Sequence, residues 1–164
     1  MPIEIKRTGH LVLRVKDLER SKRFFTEILG LKLTCDNGRM LFFSSDFNEN
    51  HHMLAIAQAK EESPMPQPDK QVGMMHVAYE LSSFAALQEA YRIFKEKGVK
   101  IHQTVFHGAT KSIYFFDPDG NELEVYCNVP QEEYKKSGPL PLSWYWPIED
   151  ELEGAPQKPG SVAP

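Results

Sequence analysis

The feature that most constrains the fold of this chain is a pattern of one strand, one helix and three strands that occurs twice. In the first half, the alternating stretch "HLVLRV" (10–15) predicts a strand. A helix is expected over "LERSKRFFTEIL" (18–29), with Asp17 as its N-cap and Gly30 as its end. Three short strands are then expected near 31–35, 39–44 and 52–58.

The second half repeats this order. The stretch 74–81 predicts a strand, and 84–97 predicts a helix that is capped by Ser82 or Ser83 and ended by Gly98. Three strands are again expected near 99–104, 112–117 and 122–127. The repeat indicates an internal duplication of a βαβββ unit.

Polar residues recur at matching places in these predicted strands. His10 and His76 lie in the first strand of each half, and Tyr114 and Glu124 lie in the last two strands of the second half. Side chains alternate across a strand, and each of the four is flanked by apolar neighbours of the opposite parity. If the helices cover the apolar face, all four side chains look onto the uncovered one. Two imidazoles and one carboxylate form the facial triad that suits non-haem Fe(II).

Charge and composition exclude several other classes. The net charge is −4 and no run of Lys and Arg forms a phosphate-binding stripe, which argues against nucleic-acid binding. No apolar stretch is long enough to span a membrane, and the N-terminus lacks the apolar core of a secretory signal. Cys35 and Cys127, the only cysteines, are expected to be reduced and buried, as in a cytoplasmic protein.

Residues 107–124, "HGATKSIYFFDPDGNELE", carry a more specific motif. The duplicated βαβββ pattern resembles the vicinal oxygen chelate superfamily, which includes glyoxalase I, bleomycin- and fosfomycin-resistance proteins and type I extradiol dioxygenases. Within that superfamily, this stretch is similar to the signature of the extradiol ring-cleavage enzymes in their small one-domain form. The matching residues are His107, Ile113-Tyr114, Asp117-Pro118, Gly120 and Glu124.

The resemblance implies an enzyme that cleaves a catecholic ring beside its two hydroxyls with O₂, as in aromatic hydrocarbon catabolism. His10, His76 and Glu124 would bind Fe(II), or Mn(II), which the same ligand set accommodates. The catechol stays open between monocyclic, biphenyl-type and carboxylated rings. Three cations could pair with a substrate carboxylate: Arg14, Arg39 and Lys111.

The resemblance also implies three catalytic residues, His52, His107 and Tyr114. His52 would act as acid–base, because imidazole titrates near neutral pH. Tyr114 and His107 would hydrogen-bond the substrate. In a regular strand His51 would point away from His52 and is the weaker candidate, and His102 is interpreted as a surface residue because it matches nothing in the signature.

Together these observations predict an α+β fold in which two tandem βαβββ modules form a curved mixed sheet around a metal site. A single domain is expected over 1–129, with one module at about 8–60, a proline-rich linker at 60–72 and a second module at about 73–128. The Pro/Trp-rich tail, 130–164, is expected to be extended, without a sheet strand, to pack along the domain or another subunit of a homo-oligomer, and to end in disorder.

Aromatic residues supply candidate walls for a pocket that would accept a planar ring. The candidates from the modules are Phe42, Phe43, Phe106 and Phe116, and those from the tail are Trp144 and Trp146. Each of the four phenylalanines also has an ordinary interpretation as a core residue.

Two other functions remain open. A glyoxalase-like lyase or thiol transferase of the same superfamily generally takes a second carboxylate from the last strand of the first module, and "HHMLAIAQA" (51–59) contains no Asp or Glu. A metal-free protein that sequesters an antibiotic would not need the two histidines and the glutamate.

Overall fold

The computed structural model describes residues 2–67, 70, 72–135 and 144–152. They form two compact units: the first runs to Gln67 and also includes Pro118–Gly120, and the second contains the remaining described residues. Each unit holds one strand–helix–three-strand module, so the tandem βαβββ arrangement is confirmed. Among the described helices, none has the length and apolar character needed to cross a bilayer.

The first unit contains a four-stranded mixed sheet in the order β1-β4-β3-β2. Its strands are β1 (Leu11–Val15), β2 (Lys32–Asp36), β3 (Met40–Ser44) and β4 (Leu54–Gln58). β1 runs parallel to β4, and the other pairs are antiparallel. The predicted alternation is confirmed in β1, where Leu13 and Val15 are buried while Val12 and Arg14 are exposed.

The helix of the first unit begins and ends where the sequence predicts. α1 comprises Leu18–Arg23 and continues as a π-helical turn over Phe24–Ile28. The Asp17 carboxylate accepts a hydrogen bond from the Arg20 N–H at 2.9 Å, which satisfies one of the free donors of the first turn. Gly30 has φ +69°, a left-handed conformation that ends the helix and that glycine adopts without strain.

The second unit contains a five-stranded mixed sheet in the order β5-β8-β7-β6-β9. Its strands are β5 (Val77–Glu80), β6 (Ile101–Phe106), β7 (Thr110–Phe116), β8 (Glu122–Asn128) and β9 (Trp144–Tyr145). β5 runs parallel to β8, as β1 does to β4, and the remaining pairs are antiparallel. The first four strands therefore repeat the topology of the first unit.

Helix α2 (Phe84–Glu96) covers one face of this sheet. Its N-cap is Ser83 rather than Ser82, and the Ser83 hydroxyl accepts from the Ala86 N–H at 3.2 Å. The Phe94 ring packs against the Phe115 ring with centroids 4.4 Å apart. Because side chains alternate along β7, Tyr114 and its same-parity neighbours lie on the opposite face, called the site face below.

The described part of the tail corrects one prediction. It contains a short helix, α3 (Gln131–Tyr134), the two-residue strand β9 and a 3₁₀ turn over Ile148–Glu151. The expectation of a tail without a strand is wrong, because β9 pairs with the end of β6 through a proline-free dipeptide whose N–H groups remain available. The predicted disorder at the chain end concerns 153–164, which lie outside the described residues.

Trp146 belongs to the covered side of the second unit. It is buried, its ring lies 5.7 Å from the Phe84 ring, and the Lys111 ammonium lies 4.8 Å from its centroid. Lys111 and Phe115 share a parity in β7, so Trp146 packs on the α2 side and does not line the site face. The side chain of Trp144 lies outside the described atoms.

The two cysteines differ in burial. Both are free, but only Cys127 is buried as predicted, while Cys35 is exposed. Cys35 lies in β2, the outermost strand of the first sheet, where less of the unit covers it than covers Cys127 in β8.

Candidate metal centre and substrate site

The β7–β8 hairpin places the first two candidate residues side by side. Tyr114 and Glu124 are register partners across the antiparallel pair, and Glu124 in turn faces Ala78 of β5. Directly opposed residues in a sheet have neighbouring Cβ atoms on one face. Both side chains are buried, Glu124 with 6% and Tyr114 with 8% exposure. A carboxylate buried to this degree needs a partner.

His76 supplies a partner for that carboxylate. It lies immediately before β5, and its Nε2 is 3.1 Å from Glu124 Oε2. Two donor atoms that each lie about 2.1 Å from one divalent ion at a right angle are separated by about 3 Å. His76 Nδ1 is buried and has no hydrogen-bond partner among the described residues. The separation of the two donor atoms therefore fits a shared metal ion.

His107 and Tyr114 form a second pair on the same hairpin. His107 Nε2 lies 3.0 Å from the Tyr114 hydroxyl oxygen, and the Tyr114 ring packs edge-on against the His76 ring at 5.2 Å. Burial, followed by the negative charge of Glu124, raises the pKa of Tyr114 to about 12. The phenol is therefore protonated at neutral pH and can donate a hydrogen bond.

The Asp-Pro-Asp-Gly turn of the motif has a structural explanation. The Asp117 carboxylate accepts from the backbone and side-chain N–H groups of Asn121, both at 2.8 Å. Gly120 has φ +85°, which a residue with a Cβ adopts only with strain. These contacts close the hairpin and set the register that brings Tyr114 opposite Glu124.

Asp119, at the tip of this turn, belongs to the first unit. Its side chain is almost fully buried and accepts from the Lys16 N–H at 3.1 Å, the Arg20 guanidinium at 2.6 Å and the Ser21 hydroxyl at 3.3 Å. Charge-assisted hydrogen bonds of this kind are the stronger ones in proteins. The second aspartate of the motif thus anchors the start of α1.

In the first unit, the candidate histidines form a group of imidazoles. His10 lies immediately before β1, and its ring centroid is 4.4 Å from that of His52. His51 Nδ1 contacts His52 Nδ1, so the prediction that His51 points away from His52 is wrong. Strand alternation does not apply to them because β4 begins only at Leu54. Burial first, and then the neighbouring His51 and His10, lower the pKa of His52, which favours its neutral form.

A cavity of about 200 Å³ lies beside this group. Its lining residues are Thr34, Cys35, Phe42, Phe47, His51 and His52. Phe42 thus lines a cavity as predicted, whereas Phe43 is fully buried in the core. The register of β2 against β3 shifts between Leu33 and Cys35, and such a bulge redirects side chains, which lets two consecutive residues line one cavity.

The two sheets can be compared position by position because each has the same strand order. In the second unit, Ala78, Glu124, Tyr114 and Gln103 are register partners across β5, β8, β7 and β6. In the first unit, the corresponding row is Val12, Ala55, Phe42 and Cys35 across β1, β4, β3 and β2. The position that matches Glu124 is therefore Ala55, and the described part of the first module offers no second carboxylate there.

One polar pair on the site face was missed by the sequence prediction. His102 Nδ1 lies 2.5 Å from Glu122 Oε1, and the His102 ring stacks on Phe116 at 5.5 Å. Glu122 is buried, and its parity with Glu124 could have indicated its face. His102 is exposed, so its interpretation as a surface residue is confirmed, and its pairing with the buried Glu122 accompanies a register shift between Ile101 and Gln103.

The candidate residues thus come together in two groups, one in each unit. His76, His107, Tyr114 and Glu124 form one group, and His10 and His52 form the other. Across the residues that the structure describes, no three His, Cys, Asp or Glu side chains within either unit form a cluster able to hold a metal ion. The assignment of His10, His76 and Glu124 as metal ligands stays a prediction.

Two tandem βαβββ modules, each with a His immediately before its first strand and the second with a buried Glu in its last strand, define the class of α+β proteins to which the chain is compared. The family profile described as the glyoxalase/bleomycin resistance protein/dioxygenase superfamily matches residues 7–125. The chain belongs to this superfamily, which is the vicinal oxygen chelate family that the motif resembles.

Individual relatives differ in activity. The chain is 29% identical over 129 residues to biphenyl-2,3-diol 1,2-dioxygenase 3 of Rhodococcus globerulus, covering 77% of this chain and 67% of that protein. It is 26% identical over 149 residues to the metallothiol transferase FosB of Lysinibacillus sphaericus, covering 86% of this chain and 97% of that protein. A glyoxalase/dioxygenase from Nostoc punctiforme has the same fold, with a TM-score of 0.64 and 22% identity over 76% of this chain and 92% of its own.

Proposed function

We propose that this protein is an extradiol dioxygenase that cleaves a catecholic ring with O₂ and uses Fe(II). The observation that carries the proposal is the β7–β8 hairpin, on which the Tyr114 hydroxyl lies 3.0 Å from His107 Nε2 and Tyr114 lies in register with Glu124. A protonated phenol beside a carboxylate suits a substrate with two adjacent oxygens, because one oxygen can accept from the phenol.

His76, Glu124 and His10 would hold the metal. His76 Nε2 and Glu124 Oε2 are already separated by the distance that two ligands of one ion require. When bound, Fe(II) would lower the pKa of a catechol hydroxyl and permit reaction with O₂, and Mn(II) suits the same donors. A triad of this kind leaves coordination positions for both oxygens of the diol.

The remaining groups would position the substrate and move protons. Tyr114 donates its hydroxyl proton to a substrate oxygen, and His107 fixes the direction of that hydroxyl through their hydrogen bond. His52, whose pKa is lowered by burial, is neutral near pH 7 and can accept a proton from the substrate. His10 contacts the His52 ring and would link this base to the metal ligands.

A second candidate is a metal-dependent thiol transferase. Its support is that the chain spans 97% of the length of the FosB protein of Lysinibacillus sphaericus, a closer match in length than the dioxygenase offers. Against it stands Ala55, which takes the position in the first module that Glu124 takes in the second. A single carboxylate leaves a bound divalent ion with net positive charge, which suits an anionic ligand such as a catecholate or a thiolate, so O₂ uptake and thiol consumption must separate the two functions.

Anaerobic purification, loading with Fe(II) and exposure to a catechol in air test the proposal. We expect O₂ consumption in step with a yellow ring-opened product, and a parallel sample with Mn(II) identifies the metal. A sample without O₂, given a thiol and an electrophilic substrate, tests the second candidate. Thiol consumption in that sample, with no O₂ uptake in the first, would replace the dioxygenase proposal by the transferase.

A further inference from the structure

The cavity of the first unit has a lining without Asp, Glu, Lys or Arg side chains. The aromatic rings of Phe42 and Phe47 and the methyl group of Thr34 supply apolar surface, and the Thr34 hydroxyl is already bonded to the Phe42 carbonyl at 3.1 Å. Transfer of a carboxylate from water to such a lining is unfavourable unless a cation accompanies it.

The three cations that the sequence offers for a carboxylate are not part of this lining. Arg14 and Arg39 are exposed residues of the first unit that do not line the cavity. Lys111 pairs with Glu151 at 2.5 Å and lies over the Phe84 ring at 4.3 Å on the α2 side of the second unit. A ring-borne carboxylate in the cavity would therefore have no Lys or Arg partner among the lining residues.

The size of the cavity suits one aromatic ring. An enclosed apolar cavity of about 150 Å³ can hold benzene, and this one, which opens to solvent at the exposed Phe47, Cys35 and His51, measures about 200 Å³. Phe42 already packs edge-on against His52 at 5.2 Å, and aromatic pairs favour that geometry. The cavity also adjoins His52, whose ring contacts that of the proposed ligand His10.

We propose that this cavity binds the ring of an uncharged catechol, so that the protein selects such catechols over ring-carboxylated ones. The inference rests on the proposed function, because it assigns the cavity to the substrate of that reaction. The charge preference of the cavity can nevertheless be measured without metal, oxygen or turnover.

Cys35 provides the reporter for that measurement. It lines the cavity and is exposed, whereas Cys127 is buried, so a neutral maleimide labels Cys35 in the native protein and Cys127 only after unfolding. The labelling rate is measured by peptide mass spectrometry in the presence of 4-methylphenol or of 4-hydroxybenzoate. These two probes match in shape, differ by methyl against carboxylate, and avoid the quinones that catechols form.

We expect 4-methylphenol to slow labelling of Cys35 by about tenfold at ten times its dissociation constant, by simple occupancy. At the same concentration, 4-hydroxybenzoate should leave the rate nearly unchanged. Thr34→Lys places a cation in the lining and should make the carboxylate probe protective, with continued protection of Cys127 as the check on folding. Equal protection by both probes, or none by 4-methylphenol, would overturn the inference.

A second measurement links the cavity to the reaction. Using the Fe(II)-loaded protein, we expect kcat/KM for 4-methylcatechol to exceed that for 3,4-dihydroxybenzoate by about tenfold or more, because the carboxylate is desolvated without a partner. A reversed ratio would overturn the inference. If neither catechol is cleaved, the proposed function fails, while the Cys35 labelling result still decides the charge preference of the cavity.

Discussion

The two modules have the same strand order, but they carry different side chains at matching positions. In the second unit, one register row of the sheet carries Glu124 and Tyr114, both buried, with His76 3.1 Å from the carboxylate. In the first unit, the matching positions are Ala55 and Phe42, beside a cavity whose lining has no Asp, Glu, Lys or Arg. A duplicated fold can therefore keep its strand order and bulges while its halves take different tasks. Under the proposed function, the second module would supply His76, Glu124 and Tyr114, and the first would supply His10, His52 and a wall for the ring.

The physical reason for this division lies in burial. A buried carboxylate and phenol are tolerated in the second module because each has a partner, and burial first, then the charge of Glu124, raises the pKa of Tyr114 to about 12. In the first module, Ala55 is fully buried, and its apolar side chain needs no hydrogen-bond partner. His10 is exposed and precedes its strand, so its position is less constrained than that of Glu124.

Among the substitutions considered, Glu124→Gln is expected to have the largest effect, which is a loss of metal affinity. We expect metal affinity to fall by at least about 100-fold, because changes to groups that merely support metal ligands already cost about 10–100-fold. Anaerobic titration with Fe(II), followed by metal analysis after gel filtration, measures it. Glu122→Gln is the matched control: it is buried to a similar degree on the same strand face but pairs with His102. Equal losses in both variants would remove Glu124 from the ligand set.

The next effect concerns proton transfer from the second module. Tyr114→Phe should retain stoichiometric iron and lower kcat by about 10²–10⁴-fold, the range of general acid–base groups. Stopped-flow turnover of a catechol in air measures the change. Tyr79→Phe serves as the control, because Tyr79 has the opposite strand parity and its buried hydroxyl has no hydrogen-bond partner among the described residues. Unchanged kcat in Tyr114→Phe would show that its hydroxyl only packs.

Asp119→Ala tests how the turn of the motif supports the first unit. Loss of three hydrogen bonds, two of them to Lys16 and Arg20, should lower the free energy of unfolding by about 2–4 kcal/mol. Denaturant unfolding measures this, and Asp46→Ala, an exposed loop aspartate in the same unit, is the control. If Asp119→Ala lowers the free energy of unfolding by less than Asp46→Ala does, Asp119 does not anchor α1.

The smallest effect is expected for Phe42→Tyr, which gives the first module the phenol of the second. We expect the change to fall on KM, because Phe42 lines the cavity proposed for the ring, with kcat altered by less than about threefold since the added hydroxyl has no carboxylate beside it. Steady-state kinetics of Phe42→Tyr and Tyr114→Phe, measured side by side, gives the comparison of their kcat values. Rescue of the double variant Tyr114→Phe, Phe42→Tyr to wild-type turnover would contradict the division of tasks.

Regular alternation explains what the sequence could predict. Parity assigned Leu13 and Val15 to the core, and cap chemistry located Asp17 and Gly30 at the ends of the first helix. Both features are local, since a strand period or a helix cap depends on a few neighbouring residues. For the same reason, strand parity indicated that Tyr114 and Glu124 share a face.

Local patterns failed where the backbone departs from them. Bulges beside Thr34 and at His102 redirect side chains, and they concealed the lining of the cavity and the His102–Glu122 pair. His51 and His52 precede their strand, so their mutual contact could not follow from strand parity. The docking of Trp146 beside Phe84 depends on a contact 62 residues apart in the chain (146 − 84), which no local period encodes.

The coordination shell of the loaded protein tests the division of tasks most directly. A crystal structure of the Fe(II)-bound protein, with anomalous data collected at the iron edge, would reveal it. We predict one iron bound by the imidazoles of His10 and His76 and the carboxylate of Glu124, with no ligand from Ala55's strand. An iron bound without Glu124, or by Cys35 and the imidazoles of His51 and His52, would contradict it.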